Sequence, residues 1–135
     1  MSLVMSTNWR RSLLSFSRPY LQLCYLRLYT NMVTITPQSV YSDFAEPVGG
    51  WYAPILLDNW SVPYINSNSQ GEIDEDIHSY LVGSSFADES IYGYWVSDNF
   101  SLLAWAEADP NAPVSMAVPG DTYSVRPRLV MGDLC

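Results

Sequence analysis

Tyr92-Gly-Tyr-Trp-Val-Ser97, Leu102-Leu-Ala-Trp-Ala-Glu107, Val114-Ser-Met-Ala-Val118 and Tyr123-Ser-Val-Arg-Pro-Arg-Leu-Val130 are four short apolar and aromatic runs in one stretch of the chain. Asp98-Asn99, Asp109-Pro110-Asn111 and Pro119-Gly120-Asp121 separate them, and all three spacers carry turn chemistry. The stretch reads as an antiparallel meander. Tyr92, Tyr94 and Val96 share one face of the first strand, and Trp95 takes the other with Gly93 and Ser97. Large residues on both faces require cover on both. Arg126 and Arg128 fall on one face of the last strand, and Pro127 confines that strand to an edge or a bulge.

Working outward, Asp88-Glu89-Ser90 leads into the meander from a segment that reads as helix. Ile73, Ile77 and Tyr80 or Leu81 recur at helical spacing over 72–82, with Gly83 as the stop. A second short helix is expected after Thr36-Pro37, which suit N-cap and N1, with Val40, Tyr41 and Phe44 on its inner face. Pro47 and Gly49-Gly50 end it, and Ile55–Trp60 reads as a brief further turn. Val33-Thr-Ile-Thr36 alternates as an opening strand should. Two short helices over a twisted antiparallel sheet make an α+β class, with the helices covering one face.

The 135 residues suit one domain with a real core. Lysine is absent, and charge is unevenly placed. Residues 1–42 hold four of the six arginines and no acid, whereas residues 43–135 hold all fourteen acids against Arg126 and Arg128. So negative a body repels phosphate backbones, which argues against nucleic acid and for cations or a basic partner. Residues 1–31, basic and rich in Ser and Leu, read as an N-terminal extension of targeting or disordered character, or as sequence upstream of a start at Met32. The domain proper is then 32–135. Nothing approaches the ~18 apolar residues of a membrane span. A Cys24–Cys135 bridge would remove roughly 4–5 kcal/mol of unfolded-state entropy, but two unrelated thiols are the simpler expectation.

Chemistry-bearing groups are sparse. His78 is the sole histidine, and no G-x-S-x-G elbow accompanies it. Glu72, Asp74, Glu75 and Asp76 form the densest acid cluster, read as a solvated helix face with acids near the N-terminus. Asn66-x-Asn68-x-Gln70-Gly71, continued by Glu72 and Asp74, mimics the spacing of a calcium loop. Position 1 is Asn, however, and position 12 is Ile77, so calcium would be held poorly. Trp60, beside Asp58-Asn59, is the tryptophan expected to be exposed for stacking on a ligand.

Gly49-Gly-Trp-Tyr-Ala-Pro54, Tyr94-Trp-Val-Ser97 with Ala104-Trp105, and Ser124-Val-Arg-Pro127 occur in that order over roughly residues 33–131. This pattern resembles the C-type-lectin-like domains of bacterial and phage surface proteins, those of the collagen-like-protein C-terminal type and the Fibrobacter major-paralogous type. Val96 stands where such domains usually have Ser. Glu46-Pro47-Val48 and Trp95-Val96-Ser97-Asp98 depart from the calcium-dependent sugar motifs. The resemblance implies a lectin-like fold and a non-catalytic binding habit without a cofactor. Its ligand would be a protein or glycan, met outside the cell, at a cell surface or on a virion. The loops expected to carry it place Asn59, Trp60, Asn66 and Asn68 on one side, and Asp98, Asn99, Asp109 and Asn111 on the other. The alternative is a structural virion or pilus subunit, homo-oligomeric through aromatic contacts.

Overall fold

The computed structural model describes residues 19–36, 38–84, 88–99 and 103–131. Eleven strands are described: β1 (Tyr25–Tyr29), β2 (Ile55–Leu56), β3 (Tyr64–Ile65), β4 (Gly71–Asp74), β5 (His78–Leu81), β6 (Glu89–Ile91), β7 (Gly93–Ser97), β8 (Leu103–Ala108), β9 (Val114–Met116), β10 (Thr122–Val125) and β11 (Arg128–Met131). The protein is mostly β, and the α+β class with two short helices is corrected accordingly. The chain divides into two compact units.

The larger unit comprises residues 24–56 and 78–125. Its main sheet has the order β2-β1-β7-β8, antiparallel throughout. Tyr25-Leu-Arg-Leu-Tyr29 alternates strictly, as a strand paired on both edges can. Leu26 and Leu28 are fully buried, each contributing roughly 1.5–3 kcal/mol of burial. On the other face stand Arg27 and Tyr29. The basic segment 1–31 thus contains a central strand of this sheet, and the 31/32 boundary falls behind it.

Trp95 lies opposite Arg27 in the β1–β7 register. Its ring stacks on Phe44 at 5.1 Å and meets Tyr41 edge-on at 4.8 Å, while its indole N–H donates to the Leu28 carbonyl at 3.0 Å. Tyr29, Phe44 and Trp95 form a core cluster against which Val33, Ile35, Tyr41 and Tyr92 pack. Cover on this face thus comes from 33–36 and 38–44, which carry no strand and only one 3-10 turn, where an opening strand at 33–36 and then a helix were expected. The Asp43 carboxylate accepts the Val40 N–H at 2.9 Å, closing a single 3-10 turn at Tyr41–Asp43, and Phe44 returns to extended backbone. Thr36 is likewise a turn residue, its hydroxyl accepting from the Gln38 N–H.

Strands do occupy the four runs after Tyr92, but they do not form a meander. Only β7 and β8 are neighbours; β9 pairs with β6, and β10 with β5. Gly93 sits where backbone and side chain crowd. A Cβ there would come within 2.2 Å of the Glu107 carbonyl and 2.6 Å of the Tyr29 hydroxyl. Trp51 meets Tyr80 of β5 edge-on, and Tyr52 stacks on Tyr80 at 5.5 Å.

The smaller unit holds residues 57–77 and 126–131 with 19–23. Its sheet has the order β11-β4-β3. Here the expected helix over 72–82 gives way to strands. Ile73 is fully buried opposite Leu129, whereas Ile77, its supposed helical partner, is 65% exposed. Pairing with distant β11 overrides the local spacing. Pro127 falls in the break between β10 and β11, as its missing N–H requires, and its carbonyl accepts the Glu75 N–H at 2.9 Å. Trp60 is buried and not exposed, its indole N–H donating to the Leu21 carbonyl at 3.1 Å. Cys135, and with it the Cys24–Cys135 pairing, lies outside the described residues, as does the N-terminal segment 1–18.

Candidate functional site

Two places gather polar groups, one in each unit. In the smaller unit the β3–β4 hairpin turns at Asn66–Gln70. The Asn66 side-chain oxygen accepts the N–H groups of Asn68 at 2.9 Å and Gln70 at 3.0 Å. Ser69 takes the left-handed conformation, φ 59°. The Asn66 amide then donates to Glu72 at 2.9 Å. Strand periodicity puts Glu72 and Asp74 on the same side of β4, and the Tyr64 hydroxyl bonds to both carboxylates. Arg126 reaches Asp74 at 3.9 Å from an exposed position.

These groups share protons unequally. Asp74 is raised above the ordinary carboxyl range by burial and then by its hydrogen bond with Glu72. Glu72 is held down to about 2 by hydrogen bonds from Asp74, Asn66 and Tyr64. Of the two, Asp74 is therefore the carboxyl that keeps its proton to higher pH, the usual outcome for two adjacent carboxyls. Glu75 is buried separately and accepts the Asn59 and Asp76 N–H groups at 2.9 and 3.0 Å. The acid cluster is thus a clasp binding β3, β4 and the Asn66 turn, where the sequence suggested a solvated helix face. The Asn66 oxygen of the supposed calcium set is directed to backbone amides. Among the described residues no three His, Cys, Asp or Glu side chains converge as a metal site.

In the larger unit, three residues stand in one row across the end of the main sheet. The Tyr92 N–H donates to the Tyr29 carbonyl at 2.9 Å, and the Asp109 N–H to the Tyr92 carbonyl at 2.9 Å. The row walls a cleft of about 200 Å³, lined also by Met32, Val33, Thr34, Ala108 and Ala112. Among the described residues that line it, Asp109 alone is charged. Each carboxylate oxygen holds one bond from within the unit, Oδ1 from the Asn111 N–H at 2.8 Å and Oδ2 from the Tyr123 hydroxyl at 2.7 Å. Burial, and then the Asp109 bond, push the Tyr123 hydroxyl far up, so it remains a donor. Burial and Asp109 raise Tyr29 as well.

The expected ligand residues are not brought together. Asp98 and Asn99 follow β7, whereas Asp109 and Asn111 follow β8. Antiparallel pairing puts those positions at opposite ends of the hairpin, separated by a five-residue strand, or about 16 Å. Asn59 and Asn68 are exposed in the smaller unit, and the Asn59 amide bonds to Asp76. Of the residues singled out, only Asp109 lines the cleft. Tyr29 and Tyr92 were missed, although the alternation of Tyr25–Tyr29 is a plain strand signal in a segment read by its charge.

A third polar cluster is structural. Arg27 is buried, donating to the Ser97 hydroxyl at 2.8 Å and pairing with Glu46 at 2.9 Å. Its guanidinium carbon lies 5.5 Å from the ring centres of Tyr41 and Trp95. Tyr52 also donates to Glu46. Comparison with protein-family models, curated proteins and solved structures finds no match.

Proposed function

We propose that this chain is a non-catalytic recognition domain, a β scaffold presenting the Tyr29–Tyr92–Asp109 cleft to a ligand. The observation that carries this reading is the row of three residues at the sheet end. It places a half-exposed carboxylate with unused acceptor capacity beside aromatic and aliphatic walls. The acid pair of β4, by contrast, is turned inward on Tyr64 and Asn66 and is not offered to a substrate. Work outside the cell, at a cell surface or on a virion, belongs to the same proposal. It rests on the lysine-free, aromatic-rich composition.

Ala108→Leu fills the cleft without removing any polar group. On glycan and peptide arrays the wild-type chain retains a ligand and the variant loses it. A chain that polymerises and retains nothing on either array would be a structural subunit instead, and would overturn the proposal.

A further inference from the structure

The cleft that the proposed recognition role rests on also has a chemistry. We infer that it takes an organic cation on a short apolar stem, such as an alkylguanidinium or alkylammonium group. The volume bears first on size. About 200 Å³ falls below the roughly 300–1,000 Å³ of pockets for drug-sized ligands, and suits a group of a few heavy atoms. The walls then set polarity. Met32, Val33, Ala108 and Ala112 are apolar and Thr34 adds a single hydroxyl, so most of the group that enters is apolar.

Charge decides the rest. Asp109 carries the only formal charge among the described lining residues. Its oxygens have one bond each and can accept more, so it has room for a donor. The half-buried aromatic residue Tyr92 stands next to it in the row, with Tyr29 beyond. A cation beside a carboxylate and over an aromatic ring is held from two sides. An anion would meet Asp109 directly, and a neutral amide would forgo the ionic contact.

The Tyr29 hydroxyl adds a further anchor. Tyr29 is 1% exposed. It lines the same cleft and lies near enough to Asp109 to feel its charge. An oxygen acceptor there suits a second N–H of a forked donor, which favours guanidinium over a single-point ammonium. The same unit already holds Arg27 in this manner, against Glu46 and the Tyr41 and Trp95 rings.

The test titrates the full chain with butylguanidinium chloride, pentanamide and sodium butyrate, reading the amide resonances of Tyr92, Ala108 and Ala112. Butylguanidinium is expected to shift these resonances saturably, with pentanamide at least tenfold weaker and butyrate without effect. Asp109→Asn should weaken butylguanidinium at least tenfold. Should that variant unfold, Ala108→Leu provides the same check by blocking the cleft. A capped Gly-Arg-Gly peptide forms a second arm. Binding equal to that of butylguanidinium assigns the cation to a partner protein's side chain, and binding of the small cation alone assigns it to a free metabolite.

Pentanamide or butyrate binding as tightly as butylguanidinium would overturn the cation inference while leaving a recognition cleft in place. Butylguanidinium shifts that persist unchanged in Ala108→Leu would also overturn it, since the cation would then sit elsewhere. Failure of the recognition reading itself looks different. No probe would move these resonances, and the arrays would retain nothing.

Discussion

Three residues carry more of the structure than their neighbours, each for a separate physical reason. Arg27 is a buried charge whose partners are all specific. Its Nε bonds Ser97, one terminal nitrogen pairs with Glu46, and its plane lies against aromatic rings. Removing it leaves Glu46 with Tyr52 alone and empties the space against the rings, so Arg27→Ala should cost about 3 kcal/mol in urea unfolding. Arg27→Lys should recover only part, because the fork is lost. Gly93 is needed for space and not for its backbone angles. The Cβ of Gly93→Ala would run into the Glu107 carbonyl, and a loss of about 2–3 kcal/mol is expected.

Asp74 contributes in the opposite sense at neutral pH. A carboxyl whose folded value is raised stabilises the fold while protonated, and that contribution is lost as pH rises through the raised value. Glu72, held down to about 2, stabilises above its ordinary value and fails only as pH falls toward 2. Between them the clasp is strongest in mild acid. Asp74→Asn puts an uncharged side chain with an N–H donor beside Glu72 at every pH. It should therefore exceed wild type at pH 8 by on the order of 1 kcal/mol, about one net hydrogen bond. The advantage should vanish as the pH is lowered to 4, and thermal melts across that range measure it.

At the scale of elements, β4 shows where local reading stops. Ile73 and Ile77 stand four apart and are equivalent on a helix, but on the observed strands one is enclosed and the other solvated. Ile73→Ala should cost about 2–4 kcal/mol. Ile77→Lys should stay within about 0.5 kcal/mol. Equal losses would restore the helix. The existence of strands at Tyr94–Trp95, Ala104–Trp105, Val114–Met116 and Tyr123–Val125 was legible, because alternation and turn residues are local. The Asp109-Pro110-Asn111 and Pro119-Gly120-Asp121 turns were legible for the same reason. Asn111 bonds the Asp109 carboxylate, and Gly120 takes φ 98°. Their partners were not legible. The pairings β10–β5 and β11–β4 join residues some fifty apart, and no neighbouring residue records such a choice. The clasp was hidden likewise, since Glu72 and Asp74 share a side only once a strand is assigned. Of the cleft, sequence found Asp109 alone.

For the whole molecule, the deciding feature is β1. Its charge pattern set Tyr25–Tyr29 apart from the body, yet the strand supplies Leu26 and Leu28 to one face of the main sheet, and Arg27 and Tyr29 to the other. A chain begun at Met32 would leave β7 without its inner neighbour and β2 without any, and would lose the Tyr29 wall of the cleft. Such a chain should show no cooperative unfolding transition by circular dichroism. Both the fold of the larger unit and the proposed recognition site depend on this one strand. Native-state hydrogen exchange of the Tyr25–Tyr29 amides in the full chain tests it most directly. Protection equal to that of Tyr94–Val96, set by global unfolding, is the predicted result. Exchange at the rate of an open chain would contradict the account.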